Sequence, residues 1–219
     1  MEAIKQIIEY FLHLDKYLAQ IINAYGLWTH LILFVIIFCE TGLVITPFLP
    51  GDSLLFAAGA LSVSTSLKFG WLLVLLTVAA IAGDAVNYAV GYFLGEKLIA
   101  SHNRFVKKEY LDRTHSFFQK YGKMTIILAR FVPIVRTFAP FVAGLGSMRY
   151  IEFAAYNVIG GCLWVGLFVT AGRLFGNIPK VKENFSLVIM VIIILSVLPI
   201  AFELCKHLMG KNASTGKDS

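Results

Sequence analysis

Arg130 and Arg136 stand inside an apolar stretch, residues 126–146, IILARFVPIVRTFAPFVAGLG, that also carries Pro133 and Pro140. An arginine at the centre of a bilayer costs about 2.5–3.5 kcal/mol on insertion scales. A proline inside a helix removes one backbone donor and disrupts the bond to the carbonyl four residues earlier. For Pro133 that carbonyl is Ala129's; for Pro140 it is Arg136's. Broken backbone is tolerated at membrane depth only where protein buries it or a wet cavity receives it. The stretch is therefore expected to wall a site that holds something anionic.

Upstream, Glu40 and Asp52 lie in another apolar region, broken at Pro50 and Gly51, and Asp84 lies in a third beside Asn87. Glu40, Asp52, Arg130 and Arg136 left unpaired in lipid would together cost about 10–14 kcal/mol. That is comparable to the whole stability of a domain, about 5–15 kcal/mol. They must pair or sit in water. Paired, they could simply clamp two loops together. In the functional reading the two arginines bind a phosphate group bidentately, and Glu40, Asp52 and Asp84 exchange protons or ions. For Asp84, satisfying local helix contacts is an equal alternative.

The composition says what surrounds these charges. Apolar residues make up 58% of the 219, charged residues only 15%, and mean hydropathy is +0.76, which places the chain with integral membrane proteins of a single domain. A formal net charge of +6 could suggest nucleic acid. In a membrane protein it reads instead as an excess of Lys and Arg on the cytoplasmic side, so no nucleic-acid partner is expected. No signal peptide is expected, because residues 1–23 carry charges of both signs. Cys39, Cys162 and Cys205 are widely spaced and suit packing, not disulfides or metal.

Periodicity gives the elements. Residues 1–25 place Ile4, Ile7, Ile8, Phe11 and Leu12 on one helical face between Lys5, Glu9, Asp15 and Lys16, an interfacial amphipathic helix. The membrane domain is expected over 26–204. Residues 27–67 read as a re-entrant hairpin: a helix in, a Pro-Gly-Asp break, and a helix back over 54–63 that is too short to span. A span follows at 69–94. Residues 95–123 form a cytoplasmic loop with seven Lys/Arg against three acids, including a short helix marked by Leu111, Thr114, Phe118 and Tyr121. A second hairpin, 124–147, precedes spans at 153–176 and 185–204 and a basic tail at 205–219.

Two halves of this plan repeat. Phe48-Leu49-Pro50 parallels Phe131-Val132-Pro133, Ala58-Gly59 parallels Ala143-Gly144, and Gly91-x-x-x-Gly95 parallels Gly172-x-x-x-Gly176. Putting 95–123 in the cytoplasm makes the hairpins enter from opposite sides and brings the basic tail back inside. That is the inverted-repeat plan of secondary transporters, whose broken helices meet near the midplane. The fold expected is an all-α, multi-pass helical bundle with two opposed, proline-broken hairpins.

Enzyme signatures are missing. His13, His30, His102, His115 and His207 are scattered, with no zinc-protease helix, no nucleophile elbow and no P-loop. No cofactor and no metal are expected.

Several motifs act together: Glu40-Thr-Gly42, Phe48-Leu-Pro-Gly-Asp-Ser-Leu-Leu55, Gly83-Asp84-Ala-Val-Asn-Tyr88, Arg130-Phe-Val-Pro-Ile-Val-Arg136-Thr137 and Pro140-x-x-Ala143-Gly144. In this combination, over nearly its whole length, the chain resembles the DedA family of bacterial inner-membrane proteins, which share the VTT domain. The resemblance implies a location in the cell inner membrane and a role in returning undecaprenyl phosphate across it. It also implies proton-dependent transport, with Glu40, Asp52, Arg130 and Arg136 as the required residues. The partners expected are a lipid phosphate, membrane lipids and protons; homo-oligomerisation stays open. Two rival functions remain: a proton-dependent cation or drug antiporter, and a non-transporting assembly or homeostasis factor in which the charges are structural.

Overall fold

The computed structural model describes residues 28–43, 51–63, 65, 67–100 and 108–176, with isolated positions at 178, 179, 181, 187, 188, 190 and 191. The expected amphipathic helix at 1–25, Pro50 and the tail at 205–219 lie outside the described residues, as does most of the expected span 185–204. Among the described residues the chain is helical, with no strand. In order come α1 (Trp28–Gly42), α2 (Gly51–Leu61), α3 (Phe69–Ala100) and α4 (Lys108–Tyr121). A 3-10 turn (Gly122–Met124), α5 (Thr125–Ala129), α6 (Pro133–Val142), a π turn (Ala143–Ser147) and α7 (Tyr150–Phe175) follow.

Length separates these helices into two kinds. Phe69–Leu94 within α3 and Tyr150–Phe175 are long and apolar enough to cross a membrane. Over the described residues, α1 and α2, at 15 and 11 residues, fall short of the roughly 20 residues a crossing needs. Helix α3 runs six residues beyond the boundary expected at 94, and α7 starts three residues earlier than expected. At its start α7 has Glu152 in the first turn, where the helix dipole favours an acid. Lys123 and Arg149 both bind that carboxylate, at 2.8 and 2.7 Å.

The backbone breaks are not all where proline and glycine suggest. At Pro133 the expectation holds: α5 ends at Ala129, and the helix restarts with proline in its first turn, where a missing N–H costs nothing. The Ala129 carbonyl is taken instead by the Val132 N–H at 2.8 Å. Gly51 is a correction. It opens α2 instead of breaking the chain, and its N–H, one of the orphan donors of a first helical turn, binds the Glu40 carboxylate at 3.2 Å. Pro140 is a second correction, because α6 passes through it without interruption. The disruption comes later, in the π turn, where Gly146 adopts φ +110, a conformation glycine tolerates without cost. Cys162 is a third: it lies on an exposed face of α7 and fills no core.

Packing is set by glycines. The principal helix pairs are α2 with α7 and α1 with α3. A Cβ at Gly59 would strike the Val169 carbonyl of α7, and one at Gly172 would strike the Phe56 carbonyl of α2. The same pair of contacts recurs in the other half: Gly144 lies on the Tyr88 carbonyl of α3, and Gly91 on the Phe141 carbonyl of α6. Each broken-helix element thus crosses the long helix of the opposite half, backbone against backbone. Gly172→Ala should destabilise by about 1–3 kcal/mol or more, since two backbones cannot yield as a side chain can. Gly166→Ala in the same helix meets open space, and should be neutral or gain up to about 1 kcal/mol. Thermal unfolding of the two variants in detergent, compared with the parent protein, checks the contrast.

Candidate functional site

The buried polar side chains form two linked groups. Glu40 ends α1, where its 2% exposure would be prohibitive for an unpaired carboxylate. Its Oε1 accepts from the Gly51 N–H and from Nη2 of Arg136. Arg136, in the first turn of α6, reaches the Asp52 carboxylate with Nη1 at 3.0 Å. Its guanidinium fork therefore spans two acids, one from α1 and one from α2. Gly51 allows this, because any Cβ there would overlap the Glu40 carboxyl group.

The second group centres on Arg130, in the break between α5 and α6. Its Nη2 lies 2.5 Å from Asp84 of α3 and 2.5 Å from Oδ1 of Asn157 on α7. Asn157 in turn donates to the Ile81 carbonyl at 3.0 Å, tying α7 to α3 through the same residue. Gly160 and Gly161 leave the surface of α7 open beside the arginine: a Cβ at Gly160 would lie 3.1 Å from Nε. One turn along α3 from Asp84, Asn87 donates to the backbone carbonyls of Thr41 and Thr137, at 3.3 and 2.8 Å. It thereby ties α1 and α6 to α3.

Trp164 joins the groups. Fully buried on α7, it donates its indole N–H to Asp52 at 2.9 Å. The guanidinium carbons of Arg136 and Arg130 lie 5.2 and 5.9 Å from its ring centre, within range of cation–π attraction. One indole thus contacts both cations and one acid. The sequence reading passed over Trp164 and Asn157. A signal for both was present. A tryptophan midway along a span departs from the usual interfacial belt, and an amide inside an apolar helix is costly unless it has work there.

The expected residues are therefore brought together, in pairings the sequence left open. Glu40 and Asp52 share Arg136, and Arg130 takes Asp84. Asp84 is a full member, so the cluster holds three carboxylates against two guanidinium groups. Arg136 has both terminal nitrogens engaged, whereas Nε and Nη1 of Arg130 are buried with no partner among the described residues. Glu40 Oε2 and Asn87 Oδ1 are likewise buried and unpartnered there. The arrangement can offer two donors to an acceptor ligand at Arg130 and one vacant oxygen to a proton at Glu40. Among the described residues no three acids, histidines or cysteines converge as a metal site.

Residues 49–174 match the VTT domain. Over 210 residues the chain is 56% identical to Protein DedA of Escherichia coli strain K12, which covers 94% of this chain and 96% of that protein. The chain belongs to the DedA family. Family relatives extend beyond enterobacteria: an uncharacterized membrane protein of Mycobacterium tuberculosis strain H37Rv is 45% identical over 168 residues, 75% of this chain and 74% of that one. Inner membrane protein YqjA of Escherichia coli strain K12 is 33% identical over 181 residues, 82% of each chain. No solved structure matches the chain. This DedA-family protein is an inner-membrane protein, in keeping with its two long apolar helices.

Proposed function

We propose that this protein moves a lipid phosphate, of the undecaprenyl phosphate class, across the inner membrane, coupled to protons and without enzymatic chemistry. The observation that carries the reading is Arg130. It is 2% exposed, and two of its three nitrogens lack a partner among the described residues. A buried, permanently charged group with vacant donors calls for an acceptor of opposite charge, and guanidinium suits phosphate oxygens.

Charge balance argues for the proton. With every group ionised, three acids and two bases leave the cluster one negative charge in excess. A phosphate entering as it stands would be repelled. Proton uptake by one acid neutralises the cluster, and a loaded, less charged site is cheaper to expose to the apolar layer. Arg136, locked between Glu40 and Asp52, then acts as the latch between α1, α2 and α6, and Arg130 as the anion receptor.

The topology we propose is two re-entrant hairpins in an inverted repeat, α1–α2 and α5–α6, entering from opposite faces. Two features support it: the short α1 and α2, and the matching glycine-on-carbonyl crossings of Gly59 with Gly172 and Gly144 with Gly91. Rocking one hairpin against the long helix of the other half would give alternating access.

Arg130→Lys tests the reading. Lysine keeps the charge but cannot hold Asp84, Asn157 and a phosphate together in one plane. The variant should insert and unfold like the parent, yet flip a labelled polyprenyl phosphate in proteoliposomes at least about tenfold more slowly, the order of effect of losing one good hydrogen bond to a charged group. Full activity would mean that only net charge matters.

A second reading has one observation behind it. The surplus carboxylate suits a cation as well as a proton, as a cation antiporter would require. Proteoliposomes loaded with sodium or potassium and given a pH gradient, without lipid phosphate, separate the two: cation-dependent collapse of the gradient favours the antiporter.

A further inference from the structure

The face of α3 next to the one bearing Asp84 and Asn87 carries Ala85, Tyr88, Ala89, Tyr92 and Phe93, the positions that helical geometry brings to one side. Among the described residues they form one wall of a groove of about 830 Å³, whose other wall is the π turn and the start of α7. Small residues make it. Ala85 and Ala89 line it with small side chains, Gly144 is held against the Tyr88 carbonyl, and the Cβ position of Gly146 faces open space. The Tyr88 hydroxyl donates to the Met148 carbonyl at 2.9 Å, so the ring presents only its apolar surface. Tyr92, Phe93 and Tyr150 are largely exposed around it.

The lining at Arg149 and Glu152 has the opposite chemistry, and Lys123 joins it through Glu152. Arg149 and Lys123 both bind Glu152, two cations on one acid, and their side chains remain 86% and 53% exposed. That leaves one positive charge in excess, at the level where α7 begins. An apolar slot closed by aromatic rings and opened by an excess of cation is complementary to one kind of occupant: a hydrocarbon chain ending in an anionic headgroup. Aromatic rings of this kind sit at headgroup depth in membrane proteins, and an arginine fork suits phosphate oxygens.

We propose that this groove is the waiting site of the lipid phosphate, with its chain along Tyr88, Tyr92 and Phe93 and its phosphate at Arg149 and Lys123. The proposal rests on the lipid-phosphate reading above and adds a second, peripheral place for the same molecule. Ala85 and Tyr88 directly follow Asp84 and Asn87 in the chain, so a lipid held here lies one helix face away from Arg130. Entry would then need the headgroup to pass around α3, while the chain stays in the apolar layer.

Native mass spectrometry of the purified full-length protein tests it, with a polyprenyl phosphate, a phosphatidylglycerol and a phosphatidylethanolamine offered in equal amounts. The polyprenyl phosphate should be retained preferentially. Arg149→Glu, at an exposed position, should weaken that retention about tenfold, the order expected for losing a hydrogen bond between charged groups. Ala89→Trp should do the same by filling the groove. Transport measured on the parent protein separates the two readings: groove-dependent retention without lipid-phosphate transport would sink the transport reading and not the groove. Equal retention of all three lipids would make the slot an ordinary boundary-lipid contact. Undiminished retention in Arg149→Glu would overturn the proposal even if Ala89→Trp failed to fold.

Discussion

Replacing Arg136 with alanine is expected to destabilise the folded protein by about 3–5 kcal/mol, the usual cost of removing one partner from a buried ion pair. The size follows from what the arginine holds. Glu40, 2% exposed, would keep only the Gly51 N–H as a partner for Oε1 and would bury a full charge without a cation. Asp52 is better placed, since the Trp164 N–H stays on its Oδ1 and its side chain is partly exposed. Most of the loss should therefore come from Glu40. Adding Glu40→Gln to Arg136→Ala removes the stranded charge and should recover a large part of the stability. A double-mutant cycle by thermal unfolding in detergent measures the coupling directly. An Arg136→Ala protein that unfolds within about 0.5 kcal/mol of the parent, as ordinary surface substitutions do, would show that the latch contributes nothing to the fold.

The second large effect is expected on energised transport. Glu40→Gln keeps the volume of the side chain and an oxygen at the Oε1 position, so the contacts to Gly51 and Arg136 can persist. It places an amide where the vacant Oε2 lies, and this fixes the neutral state. If proton uptake at Glu40 balances the surplus carboxylate, downhill exchange of lipid phosphate should survive in this variant. Accumulation driven by an imposed pH gradient should vanish. Proteoliposomes assayed with and without the gradient give both quantities from one preparation. A mutant that still follows the gradient as the parent does would assign the proton elsewhere in the cluster. Asp52 and Asp84 would then be compared through Asp52→Asn and Asp84→Asn.

Those two experiments probe different parts of one arrangement. Arg136 has both terminal nitrogens engaged by protein and so reports chiefly on stability. Arg130 and Glu40 keep atoms with no partner among the described residues and so report on what enters. Trp164 stands between these roles, since it touches both guanidinium groups and holds Asp52.

Much of this was legible in the chain itself. Composition together with its continuous apolar runs determined a helical membrane protein, because a backbone in lipid is satisfied only by helices or a closed barrel, and barrel strands alternate apolar with polar residues. The types of Glu40, Asp52, Arg130 and Arg136 determined that they would meet, because four isolated charges would cost as much as the domain's whole stability. Pro133 marked a true break, because a proline's missing N–H costs nothing where a helix starts, as α6 does there. The repeated Ala-Gly and Gly-x-x-x-Gly motifs marked the close crossings, because only glycine lets one backbone rest on another's carbonyl.

Partner choice was decided only by the tertiary structure. Sequence spacing cannot tell whether Arg130 faces Asp84 or Glu40, since both acids belong to other helices and the answer depends on how α3 and α7 are rotated. That rotation is set by Gly160, Gly161 and the reach of Asn157, none of which stands near Arg130 in the chain. Gly51 as a helix start, Pro140 as an unbroken helical residue and Trp164 as a shared platform have the same origin. Gly51 and Trp164 take their roles from groups 11 or more residues away, and local preference is silent about contacts at that distance.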